Sequence, residues 1–287
     1  MRASAGALAV ASEVIDCKPA AARRSADRCQ MLLVDRESLQ DSVRLPRIIW
    51  RENCGGAATA MAILEDLPII PLNSVLFPGA PATLYIHEER YRKMLQDIVQ
   101  SDGYFGVALL RAGKEVGGPG IPHDVGTIAR VSEVVNLPDG SSMVLAVGGP
   151  RFRIRAILSA MPIVRADVEL VEDARSHDGD DSVGAALARS ELLELMELVL
   201  RTMGSDDAPL EVPKDHAELS WAIAANLQMR LGRQQEILEM DTPEKRLTAV
   251  LPVLRKEIRH YRVMAAARRK LEELGITGVE EAPFSRS

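Results

Sequence analysis

The sequence has few aromatic residues and few cysteines. Only 3% of its 287 residues are Phe, Tyr or Trp, and three are Cys. So small an aromatic content leaves few rings on which nucleic-acid bases could stack. The three cysteines, Cys17, Cys29 and Cys54, match neither a zinc-site spacing nor a disulfide framework. So few cysteines without a disulfide pattern favour a reducing compartment, and we predict the cytoplasm.

The sequence also lacks a long apolar run. No stretch approaches the roughly 18–20 consecutive apolar residues that a membrane span needs, so no membrane partner is predicted. The N-terminal run MRASAGALAVASEV is a poor signal peptide, because its apolar part is short and Ala-rich and is followed by acidic residues. Its Ala, Arg and Ser content leaves an organelle transit peptide as the alternative to the cytoplasm.

Catalytic motifs are missing as well. The Gly-Lys pair at 113–114 is followed by Glu115, so no Walker A loop is present to bind phosphates and magnesium. In HEERY, residues 87–91, Tyr91 stands where a zinc-binding HExxH motif needs its second His. No GxSxG elbow occurs. We therefore predict no catalytic residue, no bound metal and no cofactor.

What the sequence does contain is the composition of a soluble globular protein, with 47% hydrophobic and 26% charged residues. Its net charge of −6 argues against nucleic acid as the main partner, because phosphate binding depends on clustered Lys and Arg.

Changes in pattern along the chain predict five segments. Residues 1–60 show no sustained period and are interpreted as a disordered tail or as the result of a mis-assigned start, with Met31 or Met61 as the true one. Short strand-like runs and turns follow, and then an acidic linker, helical periods and a frayed end. The predicted segments are 1–60, a β-rich lobe at 61–172, a linker at 173–186, a helical lobe at 187–278 and a tail at 279–287.

Individual elements are predicted from the same patterns. The strand-like runs lie at 67–72, 82–86, 104–110, 125–135, 142–147, 151–158 and 163–171, with a helix at 88–100. Further helices are predicted at 191–200, at 217–231 and after Asp241 or Thr242, with Pro243 in the first turn of the last one. Pro252 lies inside that last helix and is expected to kink or split it.

Five motifs in order resemble the Lon N-terminal domain, the substrate-recognition domain at the front of the ATP-dependent protease Lon. The first, LPIIPLNSVLFPG, is similar to the opening signature of that family. The resemblance covers about residues 64–260. The other matching segments are VGTIARV at 125–131, LPDG at 137–140, GGPRFRI at 148–154, and AELSWAIAANL at 217–227 with QQEILEMDTPEKRLTAVLPVL at 234–254.

The resemblance implies an α+β fold in which a PUA-like β-pseudobarrel is followed by a C-terminal helical bundle. Pro68, Pro71 and Pro78 each lack an amide donor, which predicts an edge strand or broken pairing. Most of residues 67–79 is then core and turn. The competing hypothesis is that a hydrophobic groove binds unfolded segments, and its candidate residues are Leu76, Phe77, Pro78, Tyr85, Phe152 and Trp221.

Arg151, Arg153 and Arg155 alternate with Phe152 and Ile154 along one predicted strand. This pattern predicts a strand with the arginines on a solvated face and Phe152 and Ile154 on a buried face, and the alternative is a polyanion site.

The sequence also departs from full-length Lon, because it ends where the ATPase would begin. The run PKDHAELS at 213–220 begins like the protease's Pro-Lys-Asp-Gly-Pro-Ser motif, but Glu218 occupies the position of the nucleophilic Ser. It is better interpreted as a linker and cap before the helix of Trp221. We therefore expect a stand-alone, non-catalytic domain.

The resulting hypothesis is a domain that binds unfolded or damaged polypeptides, as an adaptor for a separate protease in protein quality control. RNA binding is the alternative, because PUA-like barrels of other families bind RNA. An unrecognised enzyme and a structural role in an assembly, through the long C-terminal helix, also stay open.

Overall fold

The structure is a computed structural model that describes residues 48–51, 61–115, 117–118, 120–174, 182–203 and 212–274. All of them fall within one compact unit, Asp35–Val279. The strands in these residues are β1 Ile48–Arg51, β2 Met61–Leu72, β3 Pro81–Ile86, β4 Tyr104–Gly113, β5 Gly120–Asn136, β6 Ser142–Ser159 and β7 Val164–Val171.

Five of these strands close a ring by pairing. Strand β2 pairs with β4 in parallel and with β7 in antiparallel orientation, and the pairs β4–β5, β5–β6 and β6–β7 are antiparallel. Strand β3 pairs with the first half of β6, and β7 pairs with its second half. Strand β1 pairs with the start of β2. Among the described residues, β3 therefore has a neighbouring strand on one side only.

The ring is filled by apolar side chains, of which Ile69, Ile128, Phe152 and Val168 are fully buried. A glycine makes room for the largest of them. A Cβ atom at Gly126 would lie 2.5 Å from Cζ of Phe152 and closer still to a backbone oxygen of β4. Gly126, the glycine of the VGTIARV motif, thus has a packing reason, because only a residue without a side chain lets Phe152 reach the ring centre.

The prolines of β2 predicted either an edge strand or broken pairing. Strand β2 lies inside the sheet, so the edge strand is wrong, and its pairing is broken as predicted. Residues from Ile63 to Ile69 pair with β7, and residues from Ile69 to Leu72 pair with β4. In the described part of the chain, Pro68 pairs only with β7 and Pro71 only with β4, and a strand position that has a partner on one side only tolerates a missing N–H. The segment after β2 is core and turn, with Leu76 and Phe77 buried and Gly79 at a φ of 73°.

The helices of the described residues are α1 Glu89–Gln100, α2 Ser182–Met203, α3 His216–Asn226, α4 Leu231–Glu239 and α5 Pro243–Glu273. Asp215 caps α3, because its side chain accepts a hydrogen bond from the backbone N–H of Glu218 at 2.9 Å. This confirms the predicted cap before the Trp221 helix. Helix α5 begins at Pro243 as expected. It continues through Pro252 as one helix, so of the two predicted outcomes a split is wrong and a kink stays a prediction.

Other boundaries also differ from the predictions. The runs at 142–147 and 151–158 form one strand, since the backbone of Gly148 lies against Phe77 and continues in extended form. The predicted helix at 217–231 is two helices, α3 and α4. Helix α2 begins within the predicted linker, because Ala185 and Ala188 share one buried helical face.

Only residues 48–51 of the predicted tail at 1–60 are described, and they form a strand instead. Their β-branched and aromatic side chains have high strand propensity, and the start of β2 offers them a partner. The rest of that segment, residues 175–181 of the predicted linker and the predicted tail at 279–287 lie outside the described residues.

Candidate functional site

The six residues predicted to line a groove do not form one surface. Phe152 has 0% of its surface exposed, and Leu76, Phe77 and Trp221 are also buried. Pro78 is partly buried, whereas Tyr85 is 55% exposed. A fully buried ring cannot touch a ligand without rearrangement, so four of the six residues act as core in this structure, and Tyr85 alone is freely accessible.

The buried aromatic residues join the strands to the helices. The rings of Phe77 and Trp221 stack with their centroids 5.9 Å apart, and the guanidinium of Arg246 lies 3.7 Å from the centroid of the Trp221 ring. Arg246 itself is fully buried. A guanidinium over an indole face is a favourable cation–π arrangement, and it is strongest when water is excluded.

Arg151 lies in the same cluster and is only 3% exposed, so the prediction of a solvated or polyanion-binding side chain is wrong for it. It donates hydrogen bonds to the carbonyl oxygens of Leu238 and Met240, both at 2.7 Å, and to Asp173 at 2.6 Å. Burial lowers the pKa of Arg151, and the nearby Asp173 opposes this effect. The alternation of residues along β6 correctly placed Arg151 on the outside of the ring. The side chain is nevertheless buried, because the segment around α4 covers the ring at this point.

The two neighbouring arginines behave as predicted for a solvated face. Arg153 and Arg155 are exposed, and Arg155 forms an ion pair with Glu169 at 2.5 Å.

A separate patch of exposed apolar side chains lies where β3, β6 and β5 run side by side. In the first row Tyr85 pairs with Met143, and Met143 pairs with Val135 on its other side. In the second row Thr83 and Leu145 are neighbours in the same way. Because side chains alternate between the faces of a sheet, these residues share one face. We call the set Tyr85, Met143, Val135, Thr83 and Leu145 the outer face.

The ring of Tyr85 is held in place on the outer face. Its hydroxyl donates a hydrogen bond to Asp139 at 2.9 Å, and its ring stacks on His87 with the centroids 5.8 Å apart. An exposed aromatic side chain that is already ordered loses little entropy when a partner binds. Tyr85 is therefore preorganised as a contact residue.

Two carboxylates border the outer face. Hydrogen bonds from the Ser141 side chain and backbone, and then from Tyr85, lower the pKa of Asp139, so it is ionised near neutral pH. Glu133 is exposed and lies in the second row beside Leu145. In the part of the chain that the structure describes, neither carboxylate forms an ion pair with Lys or Arg. The patch is thus apolar with a negative border.

The opposite face of the same strand ends is covered by α1. Between them lies an open cleft of about 490 Å³, whose lining includes Arg92, Gln96, Val134, Asn136 and Ser142. A second cleft of about 330 Å³ lies near Asp66, which is held at a φ of 57° by the side chains of Arg165 and Asp167. Both clefts are open, and each is lined by polar and apolar groups together.

The described residues offer neither a metal site nor a membrane-spanning helix. They contain no group of three or more His, Cys, Asp or Glu side chains arranged to hold a metal ion. None of the described helices is long and apolar enough to cross a membrane.

A weak signal for the outer face is present in the sequence. In SMVLAV, residues 142–147, Val144 and Ala146 point inward while Met143 and Leu145 point outward, and all four are apolar. A strand that covers a core on one face usually carries polar residues on the other. The absence of polar residues at positions 143 and 145 is the signal that could have identified the outer face.

The closed strand ring, the helical lobe and the outer face together define an α+β domain with an exposed apolar sheet surface. The model of the family described as ATP-dependent protease La (LON) substrate-binding domain matches residues 66–256. The chain belongs to this family, as the order of its motifs had indicated.

Comparison with individual proteins agrees. The chain is 30% identical to Lon protease of Desulfovibrio desulfuricans, over 77% of this chain and 26% of that protein. It is 31% identical to Lon protease 2 of Herpetosiphon aurantiacus, over 67% and 24% respectively. A solved Lon N-terminal domain protein from Xanthomonas campestris is 26% identical, with a TM-score of 0.50 over 66% of this chain and 98% of that one. The chain spans about a quarter of the length of these curated relatives.

Proposed function

We propose that the chain binds exposed apolar segments of unfolded or damaged polypeptides, and that the outer face is the contact surface. The observation that carries the proposal is the row of Tyr85, Met143 and Val135, three exposed apolar side chains side by side on adjacent strands. Contiguous exposed apolar surface is a mark of interaction sites. Membership in a substrate-binding domain family supports the same function.

The experiment is a fluorescence anisotropy titration of the full chain into a labelled, permanently unfolded polypeptide. Binding that survives an increase in salt is expected, because burial of apolar surface is less sensitive to salt than ion pairing is. The double variant Met143→Ser with Leu145→Ser is expected to weaken binding roughly thirtyfold, since it removes about 1 kcal/mol of apolar contact per residue, or about 2 kcal/mol in total.

The matched control is Ile157→Ser, which removes an even more exposed apolar side chain from the far end of the same strand. It is expected to bind like the unaltered chain. Equal losses in both variants would show non-specific apolar adhesion, and no binding by the unaltered chain would overturn the proposal.

A labelled single-stranded RNA titrated in parallel tests the alternative function. Steeply salt-sensitive RNA binding without polypeptide binding would favour it. The burial of Arg151 disfavours it, because the candidate polyanion strip loses one of its three cations.

Several finer features belong to the same proposal. The five-strand ring supports a PUA-like pseudobarrel as its description. We also propose the predicted layout of a β-rich lobe at 61–172, a linker and a helical lobe at 187–278, with β1 added to the first lobe and α2 beginning at Ser182. We propose that the bound polypeptides reach a separate protease and that the chain acts as a non-catalytic adaptor. Co-precipitation of a protease with the tagged full chain, dependent on the outer face or on α5, would test the adaptor role.

A further inference from the structure

The free edge of β3 presents backbone groups beside the outer face. Gly148 donates its backbone N–H to the carbonyl oxygen of Ala80 at 2.9 Å, which fixes Ala80 as a residue hydrogen-bonded to β6. Residues directed toward a partner strand alternate with residues directed away from it. In the register of β3, Ala82, Leu84 and Ile86 thus bond to β6, and the N–H and C=O groups of Thr83 and Tyr85 point to the free edge.

Pro81 agrees with this assignment. It occupies a position of the outward-directed set, where its missing N–H removes no hydrogen bond to β6. Thr83 and Tyr85 are both exposed, so the two outward donors and their carbonyl acceptors are accessible over a short length of edge. Such an edge is a template for one more strand.

We propose that a polypeptide segment binds by adding to β3 as an antiparallel strand, which extends the β3–β6–β5 sheet by one strand. This inference rests on the proposed function and specifies how the bound segment is held. Residues of the segment opposite Thr83 and Tyr85 exchange backbone hydrogen bonds with them, and their side chains fall on the outer face beside the Tyr85 ring. The residues between them bond to nothing on β3.

This geometry defines the chemistry of the occupant. Apolar residues at alternate positions continue the apolar rows, because the outer face carries apolar side chains on all three strands. The carboxylate of Asp139, which contacts Tyr85 of β3 and has no Lys or Arg partner among the described residues, favours a Lys or Arg at the end of the segment. The occupant is therefore an extended apolar segment that carries a basic residue.

The test uses the full chain and three labelled synthetic peptides of about eight residues, the usual length of a strand. All three alternate Val or Leu with Thr and end in Lys. One is unmodified, one is N-methylated at two Val or Leu positions, and one is N-methylated at two Thr positions. Methylation removes a backbone donor and leaves the side chain unchanged.

The unmodified and Thr-methylated peptides are expected to bind alike. The peptide methylated at Val or Leu is expected to bind at least roughly tenfold more weakly, because two backbone hydrogen bonds are lost. Equal binding of all three peptides, or a larger loss for the Thr-methylated one, would overturn antiparallel strand addition. Failure of every peptide while an unfolded polypeptide still binds would also overturn it, and would leave the proposed function standing.

A variant of the protein tests the same edge. Thr83→Pro removes the outward N–H of Thr83 and keeps the hydrogen bonds to β6, so the midpoint of thermal unfolding is expected to change little. Its affinity for the unmodified peptide is expected to fall roughly tenfold, whereas Thr83→Val, which keeps the backbone donor and replaces a hydroxyl of the outer face by a methyl group, is expected to bind at least as tightly as the unaltered chain. Unchanged affinity in a folded Thr83→Pro variant would overturn the inference.

Discussion

Arg246 and Asp173 are bound to each other by two hydrogen bonds, of 2.8 Å and 2.5 Å, although the arginine has 0% of its side chain exposed. The same carboxylate accepts a hydrogen bond from Arg151 on β6. One carboxylate therefore balances two buried guanidinium groups, one from the strand ring and one from α5. The contact holds the strands, the segment after β7 and the helices together.

Replacing this carboxylate should destabilise the fold strongly. Asp173→Asn keeps the size of the side chain and leaves Arg151 and Arg246 buried without a counter-charge. Removing one partner of a buried ion pair costs about 3–5 kcal/mol, and the partial exposure of Asp173 places the expected loss near the lower limit. The measurement is the free energy of unfolding in urea.

Asp124→Asn is the control, because its pair with Arg111 has an N–O distance of 3.6 Å and both side chains are largely exposed. Such a pair contributes at most about 1 kcal/mol. If both variants unfolded at the same urea concentration, Asp173 would not be the group that balances the two arginines.

Gly126 provides a second prediction. Gly126→Ala places a Cβ atom against Phe152 and the backbone of β4, so we expect a loss of about 1–3 kcal/mol in the free energy of unfolding. Gly184→Ala is the control, because Gly184 lies in α2, is exposed, and has no atom within 4 Å of its added Cβ. It should gain about 0.5–1 kcal/mol from helix propensity. If the free energy of unfolding fell in both variants, the close contact of Gly126 with Phe152 and β4 would not explain the loss.

The two prolines of α5 should respond in opposite directions. Pro252 is exposed and lies in the interior of the helix, where it lacks the N–H that would bond one turn back. Pro252→Ala should therefore raise the free energy of unfolding, by up to about 3 kcal/mol. Pro243 lies at the first position of the helix, where no such bond exists, and Pro243→Ala should lower stability by about 0.4–1 kcal/mol. Thermal unfolding of both variants checks the signs.

The sequence predicted the order of strands and helices well, because period and turn residues are local signals. Its errors fall where the partner is distant in sequence. Strand β2 tolerates Pro68 and Pro71 in mid-sheet because β7 and β4 each pair with only part of it. Gly148 and Pro150 did not end β6, since the strand is fixed by the neighbours on both of its sides.

The candidate site was predicted less well, for a related reason. An apolar residue in a strand is equally compatible with core and with an exposed patch, and only the closure of the ring decides between them. Phe152 and Tyr85 both lie in strands, yet one fills the ring and the other is exposed. Arg151 was misjudged because α4, more than 80 residues later, supplies the carbonyl that binds it, at a sequence separation of 87.

Asp139 leads to a prediction about pH. Hydrogen bonds from Ser141 and then from Tyr85 favour the ionised carboxylate, so its pKa in the folded protein lies below that of an unfolded aspartate. The stabilisation is therefore complete above the unfolded pKa, near 3.9, and is lost as the pH falls through the lower folded value. We expect the carboxyl carbon of Asp139 to titrate below the usual aspartate range by NMR, and the midpoint to rise in Ser141→Ala. Tyr85→Phe, which removes the weaker contribution, should raise it less. A midpoint that neither variant changes would show that these hydrogen bonds do not hold the carboxylate, and that the Tyr85 ring is not anchored by Asp139 in solution.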